Sequence, residues 1–208
     1  RSSSLLLESW MTDDGLSSIV KLAAFPIFAV CVYNQLDENS SIIVQRLKTG
    51  AFTMHIAIGG DHAGFPLKGP IIECLQAQGH TVTDHGTHSL EPVDFPDIAR
   101  LVTDQVRRGE AARGILVCGT GVGAAIAGNK TPGIRAAVGH DIYSAHQCVE
   151  HDDVNLLCIG AQIIGIKLAE EIVQAFLAAQ FSTAPEFRRR VQKLHDLERR
   201  SAQEVLAG

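Results

Sequence analysis

The chain of 208 residues is poor in aromatic side chains, which make up 5% of it, and holds only two methionines, Met11 and Met54. It has no excess of positive charge: 18 Lys and Arg stand against 23 Asp and Glu, a net charge of −5. A surface of that balance has no electrostatic track for a polyanion, so a nucleic-acid partner is not expected. Small anions remain open to it, because a few local donors bind them whatever the global sign. The five cysteines (Cys31, Cys74, Cys118, Cys148, Cys158) are odd in number and include no C-x-x-C pair. Neither a disulfide framework nor a zinc ribbon is therefore indicated, and free thiols suit a reducing, cytoplasmic compartment.

Long hydrophobic runs are missing too. Leu22–Tyr33 is the longest near the start, 12 residues interrupted by Pro26. A bilayer core needs roughly 20. Glu8, Asp13 and Asp14 stand where a leader would carry basic residues. Residues 1–53 therefore read as an N-terminal extension, poorly ordered or non-native, with organellar targeting left open; residues 54–208 read as the functional domain. Hydrophobic residues at 46% and charged residues at 20% are those of an ordinary globular domain.

From Met54 onward the pattern is regular. Short apolar runs at His55–Gly60, His80–Gly86, Gly114–Gly119, Ile134–His140 and Asn155–Gly160 read as strands. Between them lie helical patterns at Phe65–Gly79, Asp94–Gly109, after Gly119, at Ile142–His151 and at Ile166–Gln180. Five nearly all-apolar strands alternating with helices predict an α/β fold, a five-stranded parallel doubly wound sheet covered on both faces. Right-handed crossovers bring every strand's C-terminal end to one edge, and ligands bind there at a switch point. A last, strongly charged helix from Pro185 has a narrow stripe of Phe187, Val191, Leu194 and Leu197. It either packs on its own domain or extends to a partner subunit, and the second is the expectation.

Chemistry should therefore sit at the strand ends. The first strand ends at Asp61 and His62, where Asp61 could equally be a cap for the helix that follows. The third ends in Cys118-Gly119-Thr120-Gly121-Val122-Gly123. Three glycines let the backbone turn tightly and present successive N–H groups at a helix start, an arrangement that binds anions or a developing oxyanion. A cysteine entering such a turn is favoured as thiolate. A small apolar Cys finishing a strand is the bland alternative, and its place at the ligand edge favours the functional one.

Two other constellations compete. Gly119, Gly121 and Ala124 satisfy G-x-G-x-x-[GA] after a strand, with Asp141 22 residues beyond Gly119. That is the fingerprint of an NAD-type dinucleotide-binding module, which leaves Cys118, Asp61 and His62 unexplained. His140, His146, Cys148 and His151 are close in sequence, but their spacing matches no ligand signature and no metal is expected.

Taken together, "IGGDHAGFPLK", "DHGTHSLEPVDFP", "VCGTGVGAAIAGNK", "PGIRA" and "EHDDVNLLCIGA" resemble the type B ribose-5-phosphate isomerases, the family that also holds galactose-6-phosphate isomerase subunits. The resemblance runs from Met54, its expected start, to about Arg200. It implies a three-layer α/β/α sandwich, a homodimer or homotetramer with shared sites, and neither metal nor cofactor. It implies aldose–ketose isomerisation, most naturally of ribose 5-phosphate to ribulose 5-phosphate. Cys118 would be the base of an enediolate mechanism, Thr120 its helper, and Asp61 the proton handler at the sugar oxygens. His151 would open the furanose ring from a neighbouring chain. His62, Gly119, Gly121, Val122, Gly123, Asp152 and Arg190 would bind the substrate. Asp152 stands where the family often has Asn. Gln162 and Glu186 stand where it commonly has Arg, which leaves the sugar open and admits a non-catalytic sugar-phosphate sensor.

Overall fold

The computed structural model describes residues 53–207. The extension assigned to residues 1–53, with its targeting alternative, lies outside the described residues but for Thr53. The strands are β1 (His55–Gly60), β2 (Thr81–Asp84), β3 (Arg113–Cys118), β4 (Ala136–Val138) and β5 (Leu156–Gly160). They alternate with α1 (Phe65–Ala77), α2 (Phe95–Arg107), α3 (Val122–Gly128), α4 (Ile142–Asp152), α5 (Ile166–Ala178) and α6 (Pro185–Ala207). The sheet is parallel throughout, in the order β2-β1-β3-β5-β4.

The three central strands are apolar on both sides because both faces are covered. Ile56, Ile58, Ile115, Val117, Leu157 and Ile159 pack against α1, α4 and α5. Ala57, Leu116, Leu156 and Cys158 point the other way, onto α2 and α3. Phe176 of α5 is wholly buried, a contribution of about 3 kcal/mol by area. Two helices on one face and three on the other make the α/β/α sandwich that the alternation predicts.

The edge strands depart from the all-apolar pattern. β2 is Thr81–Asp84 and β4 only Ala136–Val138, shorter than the runs His80–Gly86 and Ile134–His140 suggest. Among the described residues each has a single neighbour and is half-exposed, so polar residues cost little there. Among the described residues no helix is long and apolar enough to cross a membrane.

Of the two readings of α6, packing on its own chain is seen along much of its length. Its first turns pack on its own chain: the Phe187 ring stacks on His151 at 4.1 Å between centroids, and Val191 is buried. Farther along, Glu198 accepts from the Gly133 N–H at 3.0 Å, and His195 lies 3.1 Å from an Arg135 nitrogen. Leu194, Leu197, Val205 and Leu206 are exposed in the single chain.

Candidate active site

β1 and β3 are neighbours, yet α1 leaves β1 on one face of the sheet and α3 leaves β3 on the other. That divergence opens a crevice at their C-terminal ends. Asp61, His62, Cys118 and Thr120 all meet there. The chain can turn so tightly because Gly121 is left-handed, with φ of +78°, a conformation costly for a residue with a Cβ. At Gly64 the backbone of the β1–α1 turn lies against β3: a Cβ there would fall 1.9 Å from the Val117 carbonyl oxygen.

Cys118 is 6% exposed, and its Sγ accepts the Gly121 N–H at 3.0 Å. The glycine turn is thus aimed at the sulfur. Thr120 is exposed, and its Oγ1 accepts from the Val122 N–H at 3.4 Å. Asp61 does cap the turn into α1, Oδ1 accepting the Gly64 N–H at 2.9 Å, while its Oδ2 takes no part in that contact. His62 accepts the Val93 N–H on Nδ1 at 3.3 Å, which places the ring proton on Nε2.

Phe95, absent from the sequence-based set, walls this turn. A Cβ on Gly123 would fall 2.9 Å from its ring, so a side chain at position 123 would displace it. Gln162 overhangs the turn from the β5–α5 loop, its Oε1 3.2 Å from where a Gly119 Cβ would be. Beside it opens a cavity of about 460 Å³ between α1 and that loop, lined by residues that include His62, Ala63, Pro66, Gln162 and Ile166. Among the described residues no Lys or Arg lines it.

His151, Asp152 and Arg190 are not brought to this crevice. α4 returns from the C-terminal edge of the sheet to the N-terminal edge, and His151 and Asp152 are its last residues. β5 then runs from Leu156 to Gly160, which pairs with Cys118. Four strand residues alone separate the two edges by roughly 13 Å. At the far edge His151 stacks on Phe187, whose ring also lies 5.4 Å beneath the Arg190 guanidinium. Arg188, Arg189 and Arg190 are exposed beside Glu186, so this end carries the cations the cavity lacks.

The dinucleotide geometry fails. Asp141 follows β4, which β5 separates from β3, and it caps α4 by accepting from the Ser144 N–H and hydroxyl, both at 2.7 Å. These bonds hold its carboxyl below the usual range. His140 spends Nε2 on the Gly160 N–H at 3.0 Å, and among the described residues no three His, Cys, Asp or Glu side chains are grouped to hold a metal ion. Burial pushes the Cys148 thiol up to about 11 and raises Cys158 as well.

One buried feature escaped the sequence reading altogether. Lys68, 2% exposed, pairs with Asp84 at the end of β2. Its signal was a charged residue on the apolar stripe of α1, directly after Leu67 and three residues before Ile71.

Residues 56–194 match the Ribose/Galactose Isomerase family. Ribose-5-phosphate isomerase B of Escherichia coli is 44% identical over 145 residues, 70% of this chain and 97% of that protein. The D-erythrulose-4-phosphate isomerase of Pectobacterium atrosepticum is 42% identical, over 62% of this chain and 85% of its own. The structure of Clostridium thermocellum ribose-5-phosphate isomerase B superposes with a TM-score of 0.69 at 44% identity, covering 71% of this chain and 99% of that one.

Proposed function

Since the chain belongs to the ribose/galactose isomerase family and is a sugar-phosphate isomerase, we propose that it interconverts ribose 5-phosphate and ribulose 5-phosphate. The observation that carries the mechanism is the Cys118 sulfur, buried at the crevice and held by the N–H of Gly121. As thiolate, Cys118 takes the proton from C2 of the open-chain aldose. The C–H electrons form the C1–C2 double bond, and the former C1 carbonyl oxygen becomes an enediolate oxygen facing the N–H groups of Gly119–Gly123. Asp61, with Thr120 beside the sulfur, moves the hydroxyl proton from O2 to O1. Cys118 then returns its proton to C1, leaving the ketone at C2 and the enzyme unchanged. The hydrogen balance closes within the substrate.

His62 presents its Nε2–H to the sugar. Ring opening needs an acid, and the phosphate needs cations; both lie at the other edge, in His151 and in Arg190 with its neighbours. A homodimer or homotetramer that seats this edge of one copy over the crevice of another would complete each site, with Asp152 beside His151. Val122, exposed at the start of α3, would border the substrate. The four free thiols among the described residues suit a reducing compartment, which we take to be the cytoplasm. Residues 54–208 would form the isomerase domain.

The test is turnover of ribose 5-phosphate by the full chain and by Cys118→Ser. Loss of at least about a hundredfold in kcat, in a protein of unchanged fold, is expected. Undiminished turnover in the variant removes the thiol base. Turnover by the wild type of a four- or six-carbon sugar phosphate in preference to ribose 5-phosphate corrects the substrate and leaves the mechanism standing.

A further inference from the structure

We infer that the pair of the buried Lys68 with the partly exposed Asp84 is a positioning device for the active-site turn between β1 and α1, an inference that rests on the isomerase reading above. The Lys68 ammonium donates to both carboxylate oxygens of Asp84, at 2.5 and 2.7 Å. Burying the Lys68 ammonium against Asp84 does little for folding by itself, because its desolvation offsets most of the attraction to the carboxylate. Leu67, Ile71 and Leu75 already fasten α1 to the sheet. The pair adds direction to that adhesion.

Asp84 has a second duty. Its Oδ1 also accepts the Gly86 N–H at 3.0 Å, fixing the segment just beyond β2. The Gly86 carbonyl in turn accepts the Gly60 N–H at 2.6 Å, and Thr87 N–H donates to the Gly60 carbonyl. Gly60 precedes Asp61, and the Asp61 N–H donates at 3.2 Å to the carbonyl of Val117, the residue before Cys118. The Lys68 side chain passes close below: its Cδ is 3.5 Å from where a Gly60 Cβ would stand. A continuous set of bonds thus runs from the core of α1, through Lys68, Asp84, Gly86 and Gly60, to the turn that carries Asp61 and His62. Lys68 and Asp84 act through Gly60 and are positioning residues. Asp84 is 28% exposed, with the His88 ring 3.7 Å away on its solvent side.

The experiment compares the full chain with the double variant Lys68→Met/Asp84→Leu and with Asp84→Asn. Apolar replacement of both charges is expected to leave Tm within a few degrees of wild type, the lost Gly86 acceptor offsetting the desolvation saved at Lys68. Misplacing Asp61 and His62 should lower kcat about ten- to a hundredfold, with KM within about threefold. Amide exchange at Gly60 and Thr87 should quicken together with that loss. Asp84→Asn keeps an acceptor for Lys68 and Gly86 and should recover most of kcat. Unchanged kcat and amide protection in the double variant overturn the inference. So does a double variant that no longer unfolds cooperatively, which would assign the pair to stability. A wild type inactive on ribose 5-phosphate refutes that substrate alone, and the amide exchange then still decides the role of the pair.

Discussion

If catalysis draws Cys118 from one chain and His151 from another, two crippled variants should repair each other. Cys118→Ser removes the base, and His151→Ala the ring-opening acid; each homo-oligomer should fall to about 1% of wild-type turnover or below. When the two chains are co-expressed and associate at random into two-fold dimers, half the dimers are mixed. In a mixed dimer one site takes Cys118 from the His151→Ala chain and His151 from the Cys118→Ser chain, and is intact. The other site lacks both. The unfractionated mixture should therefore show about a quarter of wild-type activity, and a mixed dimer purified through two different tags about half. The expected gain over either parent is roughly twentyfold or more, large enough for a simple spectrophotometric assay of the ketose product. The two residues stand at opposite edges of the sheet: β5 runs from beside His151 at one edge to Gly160, the partner of Cys118, at the other. A purified mixed dimer no more active than its parents would show that His151 serves no site in trans.

Gly64→Ala should cost about 3 kcal/mol, or roughly 6–12 °C in Tm by calorimetry. Its Cβ would fall 1.9 Å from a backbone oxygen of β3 that cannot move aside; a Tm within a degree or so of wild type would show that the α1 turn is not so tightly seated. Gln162→Arg sets a cation at the edge of the cavity, and KM for a sugar phosphate should fall about tenfold, kcat changing less. Unchanged KM would place the phosphate elsewhere. Burial lifts the Cys148 thiol to about 11, with Arg113 opposing and Asp152 adding to the rise. The folded chain thus keeps a proton that the unfolded chain sheds near 9, so this contribution is intact below about pH 9 and fades as pH climbs toward 11. Urea midpoints at about pH 8 and 10.5 should fall further for wild type than for Cys148→Ala; parallel falls would refute the assignment.

Much of this was legible from residue order, for physical reasons that differ by element. β1, β3 and β5 are buried on both faces, so their apolar runs bounded by glycines announced them. β2 and β4 lie at the edges, where burial no longer dictates composition, and their extents were overestimated. Asp61, His62 and Cys118 could be grouped from sequence because a parallel sheet delivers every strand end to one edge. His151 and Arg190 follow a different logic: the same topology sends the end of α4 to the opposite edge, so only the family resemblance tied them to the substrate. Lys68 breaks the apolar stripe of α1, but nothing local names Asp84 as its partner, because their pairing depends on α1 crossing the end of β2. Phe95 emerges only from its contact with Gly123 across the crevice, whereas Gln162 is singled out by the resemblance and the structure adds its place over Gly119.

The brevity of β2 and β4 has a bearing on how copies of this chain can meet. A long, bare rim offers another strand a row of unpaired amides and carbonyls, and invites sheets to join end to end without limit. Here one rim is four residues long and ends in Asp84, committed to Lys68, and the other is three residues long. Neither is a template for open-ended addition. Among the described residues, exposed apolar side chains lie mostly on helices, as at Leu101, Val122, Ile126, Ile142, Tyr143, Leu194 and Leu197. Side-chain packing between helix faces depends on matched shape, and its symmetry decides whether it closes. The sheet's clipped margins thus close off growth by strand addition, and do so before any subunit contact is formed.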